Sequence, residues 1–398
     1  MPKRYHVKIK SMPPRLEPIP AFCAIEINKC LHCRNCAKYT ACVYNIYRKR
    51  TFDPAEIADT GDHDCAGCFR CIQECKANIL TRVRNSRYDA LGNEYWTPAL
   101  IEQIWKQAEN GKIPVSGAGY RGPFCGPGFD QMWTDMSEIV RPTRDGIHGR
   151  EYISTLIELG RRPDRLEFDM GGKLLTEPPP FVEIPIPIIL ELSPVGVVSN
   201  SVREAVITAA AALKTLAVVN YDDVQETPAE YRRNLAVKYD PSRHSLPDVE
   251  GVPILEFAYS GKVMDEVAAV KVQNAGTVTS IRLPLDEHAA ERASGLARAG
   301  AEVIHLQANP KGRGYGKREG DFITRLVREV HLRLVEDSTR EQVTILISGG
   351  IAMAEHVAKA VVCGANLVGI DLVLHVALEC RVCKRCAHGL SCPVAIEA

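Results

Sequence analysis

Twelve of the 15 cysteines in this 398-residue chain fall in three tight knots, and no other feature restricts the fold as strongly. The first knot is Cys30, Cys33, Cys36 and Cys42. The second is Cys65, Cys68, Cys71 and Cys75, and the third is Cys380, Cys383, Cys386 and Cys392. Each reads C-x2-C-x2-C with a fourth cysteine a few residues on. That spacing winds the backbone so that three thiolates converge on one face of an iron–sulfur cluster. Structural zinc favours two C-x2-C pairs set well apart, and a third cysteine so close suits a tetrahedral ion poorly. Disulfides need an oxidising compartment and separated partners. The knots therefore predict iron–sulfur clusters and a chain that moves electrons. Cys23, Cys125 and Cys363 lie outside the knots and read as small buried apolar residues.

The first two knots resemble the paired runs of two-cluster bacterial ferredoxins, in which the fourth cysteine of each run ligates the other run's cluster. That resemblance implies one cluster on Cys30, Cys33, Cys36 and Cys75, and another on Cys65, Cys68, Cys71 and Cys42. Two departures stand out. The gap from Cys36 to Cys42 is longer than the usual x3, and Lys76 replaces the usual proline after Cys75.

Lysine plus arginine equals aspartate plus glutamate at 49 each, which argues against nucleic acid or an anionic membrane as the main partner. Phe181–Leu192 and Ala205–Val219 are the longest apolar stretches. Prolines break the first and Lys214 the second, so neither predicts a membrane span. No secretory signal is visible at the N-terminus, and a cytoplasmic protein with reduced thiols is expected.

Texture divides the chain. Residues 1–95 form a proline-rich arm and a ferredoxin-like iron–sulfur domain. Residues 96–180 show little periodicity and predict loops and short helices. From 181 to 379 apolar runs alternate with helical stretches. Strands are expected at Val182–Leu190, Leu216–Val219, Pro253–Tyr259, Ala268–Val272, Glu302–Gln307, Val343–Ser348 and Leu367–Ile370. Continuous apolar strands alternating with helices mean a parallel sheet covered by helices, and the number and length suit a (β/α)8 barrel. An open doubly wound sheet is the alternative, but Leu192–Asn200 lacks a dinucleotide turn. Residues 380–398 carry the third cluster loop.

Gly117-Ala-Gly-Tyr-Arg-Gly122 matches G-x-G-x-x-G, yet Pro123 and further glycines follow it instead of a helix, so the match has no mechanism. A better anion site is the turn Ser348-Gly349-Gly350, between an apolar strand and a helix. Glycines allow close backbone approach, and a helix N-terminus presents free N–H groups. Loops after strands seven and eight are the usual phosphate site of such barrels, and the next strand ends at Gly369-Ile-Asp371. A turn that needs glycine for steric reasons alone is the competing reading.

Residues 127–154 (Pro-Gly-Phe-Asp-Gln-Met-Trp through Arg-Glu-Tyr-Ile-Ser), Ser348–Ala360 and Val376–Cys380 are similar to FMN-binding, glutamate synthase-related proteins of the archaeal type. The resemblance implies FMN in a (β/α)8 barrel and a cluster after the last strand. It also implies reductive transfer of an amide-derived amino group to 2-oxoglutarate. Ser348, Gly349 and Gly350 match the FMN phosphate loop, with Gly369 in the loop beside it. Gly196 and Ser199 match the loop after the first strand. Lys271, in Lys-Val-Gln-Asn-Ala-Gly, matches the lysine near flavin and substrate, and is the expected catalytic residue. Cys380, Cys386 and Cys392 approximate the three-cysteine motif. Cys383 adds a fourth ligand, so three [4Fe–4S] clusters are expected, with [3Fe–4S] the alternative at the third site. Asp145, His148 and Arg150 could clamp a carboxylate or form a structural ion-pair network.

Three glycine-rich runs of the family are absent; Asn220–Val224 stands in place of one, and Asn309–Gly316 of another. These losses support a second reading, an electron-relay subunit with a degenerate barrel inside a larger redox complex. Position 2 is proline, so no N-terminal cysteine nucleophile is expected there. Ammonia would come from a glutaminase partner or from solution, and electrons from ferredoxin or other redox subunits.

Overall fold

The computed structural model describes residues 10–26, 42, 44, 46, 65, 67–111, 128–132, 155–192 and 198–396. Cys30, Cys33, Cys36, Cys125 and Gly196 lie outside them. So do the 117–122 glycine run, nearly all of the 127–154 signature, and Asp145, His148 and Arg150. The chain forms two compact units. One is Ser11–Pro123 with Leu378–Cys383; the other is Met1–Lys10, Phe124–Ala377 and Lys384–Ala398.

In the smaller unit, strand β1 (Phe22–Glu26) pairs antiparallel with β2 (Leu80–Arg84), Phe22 opposite Arg84 and Glu26 opposite Leu80. This ribbon ties together the two ends of the stretch that carries the first two cysteine knots. Beyond it runs the helix Pro98–Asn110. Thr97 caps it by accepting from the Leu100 N–H at 3.3 Å, Pro98 occupies the first turn, and Gly111 ends it in the left-handed region. Its buried set, Leu100, Ile101 and Ile104, spans little more than one turn. That is too short a pattern to stand out, so a helix of 13 residues replaces the loops and short helices expected there.

The larger unit is a closed barrel of eight parallel strands. After the hairpin β3 (Ile157–Gly160) and β4 (Phe181–Ile184) come β5 (Ile188–Glu191), β6 (Ala217–Asn220), β7 (Leu235–Lys238) and β8 (Ile254–Ala258). β9 (Val278–Pro284), β10 (Val303–Gln307), β11 (Thr344–Ser348) and β12 (Leu367–Ile370) complete the ring, and β12 closes on β5. Helices follow the strands and cover the outside. In Ile323–Glu336 the buried residues Ile323, Leu326, Val327, Val330 and Leu334 repeat at helical spacing and face the sheet.

The (β/α)8 fold is the expected one, with local corrections. Val182–Leu190 is two strands, because Pro185 and Pro187 break the run between β4 and β5. Ala268–Val272 is not a strand. It belongs to the helix Val263–Gln273, whose Val263, Val267 and Val270 form one buried stripe. An alanine-rich run this short is ambiguous, and its helical spacing decided it. The barrel strands in excess of the expected set are β7 and β9.

Side chains alternate along each barrel strand between the helices and the interior. The interior floor is apolar: Ile189, Val218, Ala236, Ile254, Val278, Val303, Leu346 and Leu367 pack together with Leu159 and Ile184 of the β3–β4 hairpin. Two positions further along the strands, at their C-terminal ends, the interior becomes charged.

Candidate functional site

Strand alternation dictates this second layer. From the floor residues, steps of two reach Glu191 on β5, Lys238 on β7, Glu256 on β8, His305 on β10, Ser348 on β11 and Gly369 on β12. Steps of four reach Arg282 and Asp371. Arg282 is the hub. Its Nη1 lies 2.5 Å from Glu191 Oε1; its Nη2 and Nε donate to Glu256 Oε1 at 2.5 and 2.8 Å. His305 is fully buried and bridges Glu256 Oε2 through Nδ1 at 2.6 Å and Ser348 Oγ through Nε2 at 2.8 Å. A chain of contacts thus runs Glu191–Arg282–Glu256–His305–Ser348 across five strands.

Burial and charge set the proton affinities. Burial works to raise the Glu256 carboxyl, but Arg282 and His305 outweigh it and hold the group well below the usual carboxylate range. Asp371 makes no ion pair among the described residues, and the pull of Arg282 on it is the weaker influence. Burial, then the adjacent Glu191, push it up to about 7. Burial, then Arg282, lower the Lys238 amine. The half-buried Lys238 side chain makes no ion pair or hydrogen bond among the described residues, and buried Glu191 Oε2 has no hydrogen-bond partner among them. A half-buried amine together with a buried carboxylate oxygen that the protein leaves unmet is what a ligand site leaves open.

Of the residues expected at the site, Ser348, Gly349, Gly350 and Gly369 come together. Ser348 and Gly369 are register partners at the ends of β11 and β12. Ser199 precedes the helix Asn200–Leu213 at the same end of the barrel, and its N–H donates to Ile396 O at 3.3 Å. Lys271 is not brought to this layer. It sits in the last turn of Val263–Gln273, which runs back to the strand starts, and its Nζ bonds Glu302 and the Thr277 carbonyl, both at 2.6 Å. Glu191, Lys238, Glu256, Arg282 and His305 were not singled out from sequence. The signal was present as polar residues at even steps inside otherwise apolar strands.

The glycine turn has a steric reason. Gly349 and Gly350 have φ +98° and +71°. A Cβ on Gly349 would fall 2.6 Å from Ala308 O, and one on Gly350 would fall 2.4 Å from Gly312 Cα, so both are pressed against the loop after β10. Behind them the helix Ala354–Val362 starts without a side-chain cap. An uncapped helix N-terminus behind a glycine turn fits a phosphate. Where one glycine run of the resembled family would stand, Asn220 instead caps the short helix Tyr221–Gln225 in a capping box with Asp223.

The described cysteines fit a thiolate cluster in their winding. In the second knot Gly67 and Phe69, flanking Cys68, have φ +67° and +57°; in the third, Val382 and Lys384, flanking Cys383, have +52° and +57°. In both, the N–H two residues after the first cysteine donates to its Sγ at 3.4 Å: Gly67 to Cys65, Val382 to Cys380. In both, a helical turn then holds the third cysteine, Cys71 in Arg70–Gln73 and Cys386 in Cys386–His388. A left-handed valine, lysine or phenylalanine is strained, and such strain marks functional loops. Burial works to raise the Cys75 thiol, but backbone N–H groups of residues 77–80 outweigh it and lower it. N–H···S bonds favour thiolate and tune cluster potential. Cys42 is half-buried, as is Cys392.

Among the described residues no helix is long and apolar enough to cross a membrane. Residues 252–398 match a family described as the conserved region in glutamate synthase. Over 417 residues the chain is 26% identical to the archaeal-type glutamate synthase [NADPH] of Dehalococcoides mccartyi, covering 91% of this chain and 81% of that one. It is 24% identical, with the same coverage, to the archaeal glutamate synthase [NADPH] of Archaeoglobus fulgidus. A 109-residue stretch is 33% identical to the ferredoxin-dependent glutamate synthase of Cyanidium caldarium, covering 26% of this chain and 7% of that one. The stretch that supplies Glu256, Arg282, His305, Ser348 and Asp371 is thus the region matched to glutamate synthase, and the chain along most of its length is similar to archaeal-type glutamate synthases.

Proposed function

We propose that this protein is an iron–sulfur flavoenzyme of glutamate synthase type, which aminates 2-oxoglutarate reductively to glutamate. The observation that carries the proposal is the charged interior layer at the C-terminal end of the barrel, inside the stretch similar to glutamate synthase. A barrel kept only as a scaffold for electron relay has no use for Glu191 Oε2 buried without a hydrogen-bond partner, because such a group costs stability. Active sites of (β/α)8 enzymes sit at this end.

In this reading Ser348, Gly349, Gly350 and the start of the helix Ala354–Val362 would hold the phosphate of an FMN. Bound FMN supplies the two-electron reduction of the substrate carbon. Lys238, rather than Lys271, is placed to meet a carboxylate of 2-oxoglutarate or the anionic edge of the flavin. The three cysteine knots would hold [4Fe–4S] clusters, with the crossed ligand sets given above for the first two, and such clusters would supply one-electron transfer. NADPH, through a redox partner, or ferredoxin supplies the electrons, and a glutaminase partner or free ammonium supplies the nitrogen.

The test is anaerobic. Protein reconstituted with iron, sulfide and FMN should bind flavin, accept electrons from a chemical reductant, and be reoxidised by 2-oxoglutarate with ammonium chloride as glutamate appears. If the flavin binds and is reduced but 2-oxoglutarate never reoxidises it, the proposal fails and the electron-relay reading replaces it.

A further inference from the structure

Two carboxylates stand side by side at the barrel mouth. β12 and β5 pair in parallel with Ile370 opposite Leu190, so the next residues, Asp371 and Glu191, are neighbours on the interior face. Glu191 is 2% exposed and Asp371 5%. Glu191 Oε1 is taken by Arg282, whereas Oε2 has no hydrogen-bond partner among the described residues. His305 Nε2 is 3.9 Å from Oε2 and already engaged with Ser348 Oγ. Asp371 Oδ1 accepts from the Leu372 N–H at 2.6 Å. Gly369 adds no side chain here: a Cβ would lie 3.3 Å from Glu191 Oε2 and 3.2 Å from Ser348 Cβ. The glycine keeps the space before that oxygen clear.

We propose that Glu191 Oε2 and Asp371 receive an ammonium ion at the mouth of the barrel. The proposal rests on the function above, for which ammonium is the nitrogen source, but binding itself requires no turnover. A buried carboxylate oxygen without a donor is costly, and a cation that carries its own N–H groups supplies both charge and donor. Hard metal ions gather six or more oxygens, and this corner offers few besides the two carboxylates. Ammonium must also shed a proton before its nitrogen can attack. Ionised Asp371 stands where it takes that proton, and burial beside Glu191 has raised its affinity for it. The ammonia left behind keeps its electron pair to form the C–N bond at the 2-oxoglutarate carbonyl carbon, whose oxygen later departs as water.

The test is calorimetric titration of the oxidised full-length protein with ammonium chloride, against potassium, sodium and tetramethylammonium chlorides at constant ionic strength. A saturable response to ammonium alone is expected. Asp371→Asn should weaken it about tenfold or more, the loss of one charge-assisted hydrogen bond. Gly369→Ala leaves both carboxylates in place but fills the space, and should weaken it similarly; it decides the matter if Asp371→Asn fails to fold. Equal binding of potassium, absence of saturable binding, or an unchanged affinity in a folded variant overturns the proposal. Glutamate formation is scored separately. Ammonium binding without glutamate formation defeats only the enzymatic reading, and glutamate formation without ammonium binding defeats only this site.

Discussion

Arg282→Met tests the interior charge layer most directly. The guanidinium serves two carboxylates at once, Glu191 through Nη1 and Glu256 through Nη2 and Nε. Both acids are at most 3% exposed. Removing one partner of a buried pair costs about 3–5 kcal/mol, because the other charge stays buried and unmatched. Here two would stay behind, so the upper end applies. At roughly 2–4 °C per kcal/mol for a domain of this size, the barrel transition should fall by about 10–20 °C. Thermal unfolding followed by far-UV circular dichroism measures it. Adding Glu256→Gln should restore part of the loss, since one stranded charge disappears. Single and double variants should therefore be non-additive by about 0.5–3 kcal/mol. A single variant within about 1 kcal/mol of the parent, or strict additivity, would show that the layer is solvated and not a buried network.

Three further outcomes are expected. The Asp371 carboxyl is raised in the folded state, so it contributes stability below the ordinary carboxylate range that is lost as pH climbs to about 7. Asp371→Asn should accordingly gain on the parent between pH 5 and pH 8, by a few kcal/mol in urea unfolding, and a constant difference would contradict this. Gly350→Ala should cost about 2–6 kcal/mol even without flavin, since its φ is +71° and the new Cβ would overlap Gly312 Cα; a neutral result would mean the turn is looser than drawn. Anaerobic iron analysis should give about twelve irons per chain, from four per cluster, while about eight with zinc in the remainder would remove one cluster.

The C-x2-C-x2-C spacing and the β/α alternation are local properties, and both were legible in one dimension. A cysteine loop must bend in a given way to converge its thiolates, and a strand buried on both faces must be apolar nearly throughout. The matching left-handed residues in the second and third knots follow from that same short-range geometry. The glycines of the Ser348 turn were legible too, though the structure adds a second reason for them in the loop at Ala308–Gly312.

The charged layer was not legible, and the reason is physical. β7 ends in Lys238, and β9 carries Ser280 and Arg282 on its interior face. Those polar residues break the apolar run that marks a buried strand, so neither strand stands out in the sequence. Lys271 shows the converse. Its sequence neighbourhood resembles a flavin-side lysine, but the direction of its helix carries it to Glu302 at the strand starts. Residue type and spacing declared the cysteine knots and the barrel. Which polar groups meet inside that barrel depended on closing eight strands in one register, because Glu191 and Asp371 are neighbours only once β12 pairs with β5.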